Sequence, residues 1–359
     1  MPLELLSFPR VQSACSMRSS GSVADPLTRE SICETIRRMG LLSNAEQFSC
    51  EPLSGGVSSD IWRITVGNKQ YCLKRALPRL KVTQLWEAPV SRNSFEWEWF
   101  RTAGAICPEC VPNLVAHDQQ AGLFVMDYLD PKSYPVWKTQ LRDGVVHEET
   151  AEHVAERLVR IHAATSNDEH VRRQFATDDA FYAIRLEPYL VAITSIHSDL
   201  ADYLHSIVQV TASTKCALVH GDISPKNILV GPSGPIFIDA ECAWYGDPAF
   251  DPAFCLNHLL LKCLWRPQHS KAFLACFDRF AAAYLRGVSW EPRVSIQSRI
   301  ARLLPALFLA RIDGKSPIEY ITSERDKNRV RDTARHLIRC PTNELNDIRR
   351  TWAREVSSI

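Results

Sequence analysis

The chain has 359 residues, of which 45% are hydrophobic and 23% are charged. This composition is typical of a globular protein with a buried core, and it excludes a disordered, fibrous or collagen-like chain. The 42 Lys and Arg residues almost balance the 41 Asp and Glu residues, giving a formal net charge of +1, so the overall charge gives no reason to expect nucleic acid or an anionic membrane as a partner.

The N-terminal segment, residues 1–27, is predicted to be a flexible tail. It lacks the continuous apolar core of a secretory signal, and no run of about 18 apolar residues predicts a transmembrane helix. The 12 cysteines are scattered, as expected of reduced intracellular thiols, and this includes the close pair Cys107 and Cys110. We therefore expect a cytoplasmic protein, with an organelle as the alternative because the tail is rich in Ser and contains Arg.

The first lobe, residues 28–130, is predicted to be rich in β-structure and to bind a nucleotide. Hydrophobic spacing and turn residues predict a helix at 28–43, strands at 60–66 and 70–76, a helix at 91–103 and a strand at 123–129. A proline-containing segment, DPKSYP, follows the last strand and is predicted to be a hinge.

The second lobe, residues 131–359, is predicted to be mostly helical. A strong amphipathic pattern covers 148–165, and a short region of β-structure interrupts the helices at 216–240. The chain is thus predicted to have an α+β fold with a small β-rich lobe and a larger helical lobe.

The most informative segment runs from His220 to Asn227, with the sequence HGDISPKN, and Asp239 follows 12 residues later. Asp222 comes at the end of a predicted strand, in a loop where it can meet a substrate hydroxyl. Asn227 and Asp239 offer oxygen atoms of the kind that Mg²⁺ prefers. A carboxylate that accepts a proton, next to a metal that offsets phosphate charge, is the combination that phosphoryl transfer requires.

The pattern H-G-D-x-x-x-x-N, followed by I-D-x-E, resembles the aminoglycoside phosphotransferase and choline kinase superfamily, whose members are relatives of protein kinases. The D-x-E motif and the WYGDPAFD segment after it are similar to those of methylthioribose kinases. The resemblance covers about residues 50–320. It implies a two-lobed protein-kinase-like fold that uses ATP and Mg²⁺.

The resemblance also implies roles for the residues of these motifs. Asp222 would be the catalytic base, and Asn227 and Asp239 would hold Mg²⁺ with Glu241 as a further ligand. His220 would shape the loop without taking part in the chemistry. The sequence has H-G-D where protein kinases have H-R-D, and it has no A-P-E element, so the acceptor is expected to be a small molecule.

The first lobe contains the other parts that such an enzyme requires. Lys74, in an alternating strand, would reach the ATP phosphates and pair with Glu96, with Glu98 as the alternative. Backbone groups of Asp127 and Leu129 would bind adenine. The loop that would cover the phosphates contains Gly55, Gly56, Ser58 and Ser59.

Four further residues are weaker candidates for supporting the loop or binding the acceptor. Asp251 would brace the catalytic loop, and Lys226 would either touch phosphate or be a solvated surface lysine. Arg311 and Asp313 would contact the acceptor, or else belong to an ordinary helix C-terminus. The arginine pair of methylthioribose kinases is incomplete, since Ile312 follows Arg311.

These observations predict a kinase that transfers the γ-phosphoryl group of ATP to a hydroxyl of a small molecule, a sugar or an amino alcohol. An antibiotic kinase acting on aminoglycosides is the first alternative. A catalytically inactive nucleotide-binding protein or scaffold is the second. The sequence leaves the acceptor and the oligomeric state open.

Overall fold

A computed structural model describes residues 27–43, 45–53, 58–79 and 89–357. The predicted tail lies outside these residues, apart from Leu27. The described helices include none with the length and apolarity needed to cross a membrane.

The first lobe is a five-stranded antiparallel sheet with a helix on each side. The strand order is β1-β2-β3-β5-β4. The strands are β1 (Phe48–Pro52), β2 (Ser59–Val66), β3 (Lys69–Ala76), β4 (Leu114–Asp118) and β5 (Leu123–Asp127), and the helices are α1 (Arg29–Arg38) and α2 (Arg92–Ile106). The sequence analysis gave no bounds for β1 and did not predict β4, because both are short and neither has a fully buried face.

Helix α1 begins where the sequence predicted and ends earlier. The Thr28 hydroxyl oxygen accepts the Ser31 N–H at 3.2 Å and caps the first turn. Gly40 has a φ of +73°, a left-handed conformation that stops the helix.

Alternation along β3 decides which side chains face the second lobe. Tyr71 and Leu73 belong to the apolar cluster that includes Ile36 of α1. Cys72 belongs to the other cluster, which contains α2 and extends into the second lobe. Because side chains two residues apart in a strand share a face, Lys74 points the same way as Cys72, between the lobes.

The second lobe is largely helical, as predicted. Its helices are α3 (Trp137–Arg142), α4 (Glu148–Thr165), α5 (Glu169–Gln174), α6 (Asp178–Phe181), a π-helical segment (Tyr182–Val191), α7 (Ala201–Ser213), α8 (Phe250–Trp265), α9 (Ser270–Gly287), α10 (Arg293–Asp313), α11 (Glu324–Arg339) and α12 (Leu345–Val356). Helix α8 is apolar on nearly every side and lies between α9, α10 and α12, so it forms the centre of the lobe.

The predicted β-region forms two short antiparallel pairs. Strand β6 (Ala217–Val219) pairs with β9 (Trp244–Gly246), and β7 (Ile228–Gly231) pairs with β8 (Gly234–Phe237). The loop from His220 to the 3₁₀ turn Pro225–Asn227 connects β6 to β7. This arrangement confirms the predicted α+β, two-lobed fold.

One cysteine prediction is wrong. The structure joins Cys107 and Cys110 in a disulfide, whereas the sequence analysis expected reduced thiols. The 3₁₀ turn Pro108–Cys110 bends the chain so that the two Cα atoms lie 5.3 Å apart, a distance that suits a disulfide.

Candidate active site

Lys74 lies at the centre of a buried charge cluster between the lobes. Its Nζ is 2.8 Å from both carboxylate oxygens of Glu96 and also contacts Asp239 Oδ1. Glu98, the alternative partner, pairs with Arg101 at 2.6 Å. Residues two apart on a helix point in nearly opposite directions, so only Glu96 of α2 can face β3.

The cluster places two carboxylates against one ammonium. Burial opposes the charged form of Lys74, but Asp239 and Glu96 outweigh it and raise the pKa of the lysine. Burial also opposes ionisation of Asp239, yet Lys74 and Lys226 hold its pKa below the usual range. Burial raises the pKa of Glu96 to about 7, and Lys74 counters this only in part. An ionised Asp239 and a charged Lys74 therefore face the cleft.

Asp251, in the first turn of α8, holds the loop that carries Asp222. Its carboxylate accepts the His220 and Gly221 N–H groups, each at 2.8 Å, and His162 Nε2 lies 3.2 Å away. Asp251 is completely buried. One side chain thus fixes two successive peptide units immediately before Asp222.

His220 connects this loop to the strand that leads to Asp239. Its Nδ1 accepts the Asp222 N–H at 3.2 Å, which leaves Nε2–H to donate to the Ile238 carbonyl at 3.2 Å. Burial lowers the pKa of His220, so the neutral ring that these two bonds require is favoured. Gly221 has a φ of +79°, and a Cβ there would lie 2.7 Å from the Cys242 carbonyl oxygen, so the loop has no room for a side chain.

The Asp222 side chain faces two cations. Arg185 Nη2 and Lys226 Nζ lie 3.0 Å and 3.1 Å from Asp222 Oδ2. Arg185 also donates to the Gly221 carbonyl at 2.5 Å, and Asn227 Nδ2 donates to the Asp222 carbonyl at 3.1 Å. The sequence analysis missed Arg185, because a single arginine in a helical stretch carries no motif.

A cleft of about 420 Å³ lies between the lobes, and we call it the inter-lobe cleft. Its apolar wall includes Leu53, Ile61, Cys72, Met126 and Leu229, and its polar end includes Lys74, Glu96, Lys226, Asn227 and Asp239. Asp127 and Leu129 line the cleft at the end of β5. The Asp127 N–H is taken by the Asn113 carbonyl at 2.9 Å, whereas the Leu129 N–H has no partner among the described residues.

The oxygen atoms at the polar end suit a hard divalent cation. Asn227 uses its side-chain N–H₂ on the Asp222 carbonyl and keeps its amide oxygen available, and Asp239 offers Oδ2 while Lys74 takes Oδ1. Both side chains line the same cleft, and oxygen donors of this kind are those that Mg²⁺ takes. Asp239 reaches this position with a left-handed φ of +67°.

Three predicted site residues are not among the residues that line the cleft. Glu241 Oε2 accepts from Arg92 Nε at 3.0 Å, and Glu241 is not among the lining residues. Ser58 and Ser59 are buried at the start of β2, with the Ser58 carbonyl held by Arg92 at 2.5 Å. Gly55 and Gly56 lie outside the described residues. The buried Arg92 was not predicted, since its partners come from distant segments.

A second cavity, of about 170 Å³, opens beside Asp222, and we call it the Asp222 pocket. Lys226 lines both this pocket and the inter-lobe cleft, so it stands where the two meet. Arg311 also lines the pocket. Asp313 does not, because it points to the opposite side of α10 and pairs with His197 and Arg331 at 2.9 Å and 2.7 Å.

Lys262 of α8 also lines the Asp222 pocket. It is 1% exposed, and burial together with nearby Lys138 lowers its pKa to about 7, while Glu319 opposes this. In the unfolded chain the pKa is that of an ordinary lysine, so between about pH 7 and pH 10 the unfolded state binds more protons. The free-energy cost of burying Lys262 is therefore largest below pH 7 and fades as the pH rises.

We expect Lys262→Met to raise the free energy of unfolding by about 1–4 kcal/mol at about pH 6.5, and by progressively less towards pH 10. Denaturant unfolding across this pH range measures the difference. Lys271→Met, at an exposed lysine of α9, is the control and should give no pH-dependent difference. A gain that stays constant or grows with pH would contradict the prediction.

The fold and the cleft define a two-lobed, kinase-like protein. Residues 49–293 match the family model described as the phosphotransferase enzyme family. Because this match covers more than half of the chain, the chain belongs to that family. Membership confirms the predicted superfamily and the prediction of a small-molecule kinase.

Individual relatives agree with this assignment. The methylthioribose kinase of a Bacillus cereus strain is 24% identical over 278 residues, covering 69% of each chain. That of Geobacillus sp. (strain WCH70) is 23% identical over 284 residues, covering 70% of each. A Plasmodium vivax ethanolamine kinase has a TM-score of 0.55 at 12% identity, covering 97% of this chain and 95% of its own.

A second solved structure with a similar fold is an amicoumacin kinase in complex with AMP-PNP, Ca²⁺ and Ami. It has a TM-score of 0.54 at 13% identity and covers 84% of this chain and 91% of its own. At such low identity, both solved structures support the fold alone.

Proposed function

We propose that the protein transfers the γ-phosphoryl group of ATP, with Mg²⁺, to a hydroxyl of a small molecule, a sugar or an amino alcohol. The observation that carries the proposal is the convergence of Lys74, Asn227 and Asp239 on one cleft that meets the Asp222 pocket at Lys226. ATP with Mg²⁺ supplies the phosphoryl group: a bond forms between the acceptor oxygen and phosphorus as the bond to ADP breaks, and the hydroxyl proton passes to Asp222.

The residues of the inter-lobe cleft divide into two groups by what they would hold. The apolar wall would pack on the adenine ring, and the Leu129 N–H, which lacks a partner among the described residues, would donate to it. Lys74, fixed by Glu96, offsets phosphate charge. Asn227 and Asp239 would hold the cation through their available oxygens. Residues 28–130 would thus form the nucleotide-binding unit and 131–359 the catalytic unit.

Asp222 orients the acceptor hydroxyl from the neighbouring pocket. Arg185 and Lys226 fix one of its carboxylate oxygens, so the other can accept the hydroxyl proton. The bonds that Asp251 and His220 make to the loop hold Asp222 in place. Pre-fixed geometry of this kind lowers the entropy cost of bringing the acceptor to the phosphate.

The two alternatives differ from this proposal in what they require. An aminoglycoside kinase needs an acidic pocket for a polycation, whereas the Asp222 pocket is lined by Lys138, Lys226, Lys262 and Arg311. An inactive nucleotide-binding protein requires no charge cluster. Here the members of the cluster, Lys74, Glu96 and Asp239, all line the inter-lobe cleft. The geometry therefore favours an active enzyme.

The test is acceptor-dependent ADP release across methylthioribose, ribose, gluconate, choline, homoserine and an aminoglycoside. We expect at least one acceptor to support turnover. We expect Lys74→Met to slow this turnover by about 10²–10³-fold, because an ammonium that stabilises developing phosphate charge is lost.

Lys271→Met is the matched control, since it removes an exposed lysine outside both cavities. Its turnover should equal that of the parent. Binding of a fluorescent ATP analogue, measured in parallel, separates an active kinase from an inactive nucleotide-binding protein. Nucleotide binding without turnover of any acceptor would favour the inactive protein.

A further inference from the structure

The charges that line the Asp222 pocket are unbalanced. The two acidic side chains that line the pocket, Asp222 and Glu319, already have cationic partners. Glu319 pairs with Lys138. Asp222 pairs with Lys226 and Arg185. The two remaining basic side chains, Lys262 and Arg311, have no carboxylate partner among the described residues.

Lys262 is the more unusual of the two. It is 1% exposed and makes no hydrogen bond or ion pair with any described residue. Its Nζ lies only over two aromatic rings, 4.7 Å from the centre of the Trp265 ring and 4.8 Å from that of Tyr320. Such contacts offset a small part of the cost of burying an ammonium, so an anion is the partner that this site lacks.

Several polar atoms around Lys262 are also unpaired. Ser224 Oγ, His258 Nε2, Arg311 Nε and Tyr320 OH are buried without a hydrogen-bond partner, and all four residues line the Asp222 pocket. Buried polar atoms are normally satisfied, so a cluster of exceptions in one cavity indicates a missing ligand. Hydroxyl and guanidinium N–H groups are donors, and donors around a cation suit an anionic group.

Resting on the proposed function, we propose that the acceptor carries a carboxylate or phosphate group beside the hydroxyl that is phosphorylated, and that Lys262 and Arg311 bind this group. The acceptor is then an acidic hydroxy compound, such as a sugar acid or a sugar phosphate. The pocket holds its anionic end around Lys262 and presents its hydroxyl to Asp222. A cationic amino alcohol would leave Lys262 without a partner.

The experiment uses pairs of probes that differ in one charged group. Calorimetric titration of the full chain compares gluconate with glucitol, glucose 6-phosphate with glucose, and glucosamine as the cationic probe. We expect at least one anion to bind about tenfold more tightly than its neutral partner, and the two pairs separate a carboxylate site from a phosphate site.

Three variants assign the effect to Lys262. Lys262→Met and Lys262→Gln, the second of which keeps a hydrogen-bond donor, should each weaken anion binding about tenfold and leave neutral probes unchanged. Lys271→Met should change neither. If no anion binds more tightly than its neutral partner, if glucosamine binds best, or if both Lys262 variants bind anions as the parent does, the inference is wrong.

ADP release with the same probes separates this inference from the proposed function. Turnover of a neutral or cationic acceptor in preference to the anions would overturn the inference and leave the phosphotransferase standing. Anion binding at Lys262 without ADP release from any acceptor would count against the proposed function and leave the anion site in place.

Discussion

Asp222→Asn is expected to lower acceptor-dependent ADP release by about 10²–10⁴-fold, the range typical of losing a general base. The amide keeps the size of the carboxylate but cannot accept the hydroxyl proton, and it removes the negative charge that Arg185 and Lys226 face. Asp222 lines the pocket beside the inter-lobe cleft and is not among the residues that line the cleft itself. Nucleotide binding should therefore persist.

The comparison needs two measurements on each protein, ADP release with a saturating acceptor and the affinity for a non-hydrolysable ATP analogue. Asp332→Asn, on the surface of α11, is the control for a change of one charge. An Asp222→Asn protein that turns over acceptor at the parent's rate would remove Asp222 from the mechanism. Loss of nucleotide affinity together with turnover would show a folding defect instead.

The sequence predicts those parts of the site that are continuous in the chain. The segment from His220 to Asn227 is one loop between two strands, so its motif contains both the residues and their order. The alternation of β3 likewise predicts which face Lys74 occupies, and the period of α2 favours Glu96 over Glu98. In each case local geometry alone determines the direction of the side chain.

The parts that the sequence analysis missed depend on contacts between distant segments. Arg92 joins the ends of β2 and β3 to Glu241, and Arg185 reaches Asp222 from a π-helical segment. Lys262 is buried only through the packing of α8 against its neighbours. No spacing rule reveals a partner that lies far away in the chain, so these cations have no motif of their own.

Glu241 and Asp313 are two predicted site residues that are not among those lining the two cavities. Glu241 was assigned from the D-x-E motif of the resemblance, and Asp313 was assigned as a charged residue in the segment that contains Arg311. Asp313 follows Arg311 by two residues, and on a helix that spacing turns it to the far side, where Arg331 binds it. Proximity in sequence therefore identifies the segment but does not determine which side chain faces the cavity.

Asp251→Ala is expected to lower the free energy of unfolding by about 3–5 kcal/mol, because a buried carboxylate with several partners is removed. The His220 and Gly221 N–H groups and the His162 ring would lose their acceptor in an interior that water does not reach. Each unsatisfied backbone donor costs about 1–3 kcal/mol, so the two N–H groups alone account for much of the loss. Denaturant unfolding measures it, and Asp332→Ala should change the free energy by no more than about 0.5 kcal/mol.

The same substitution should also slow catalysis, and this separates bracing of the loop from a merely structural role. Without Asp251 the peptide units of His220 and Gly221 can rotate, and Asp222 moves with them. We expect kcat to fall while the KM for nucleotide stays near that of the parent, since Lys74 and Asp239 reach the cleft from other segments and Asn227 reaches it from the 3₁₀ turn at the end of the loop. A stable Asp251→Ala protein with unchanged kcat would mean that the loop holds its shape through Gly221 and the bonds of His220 alone.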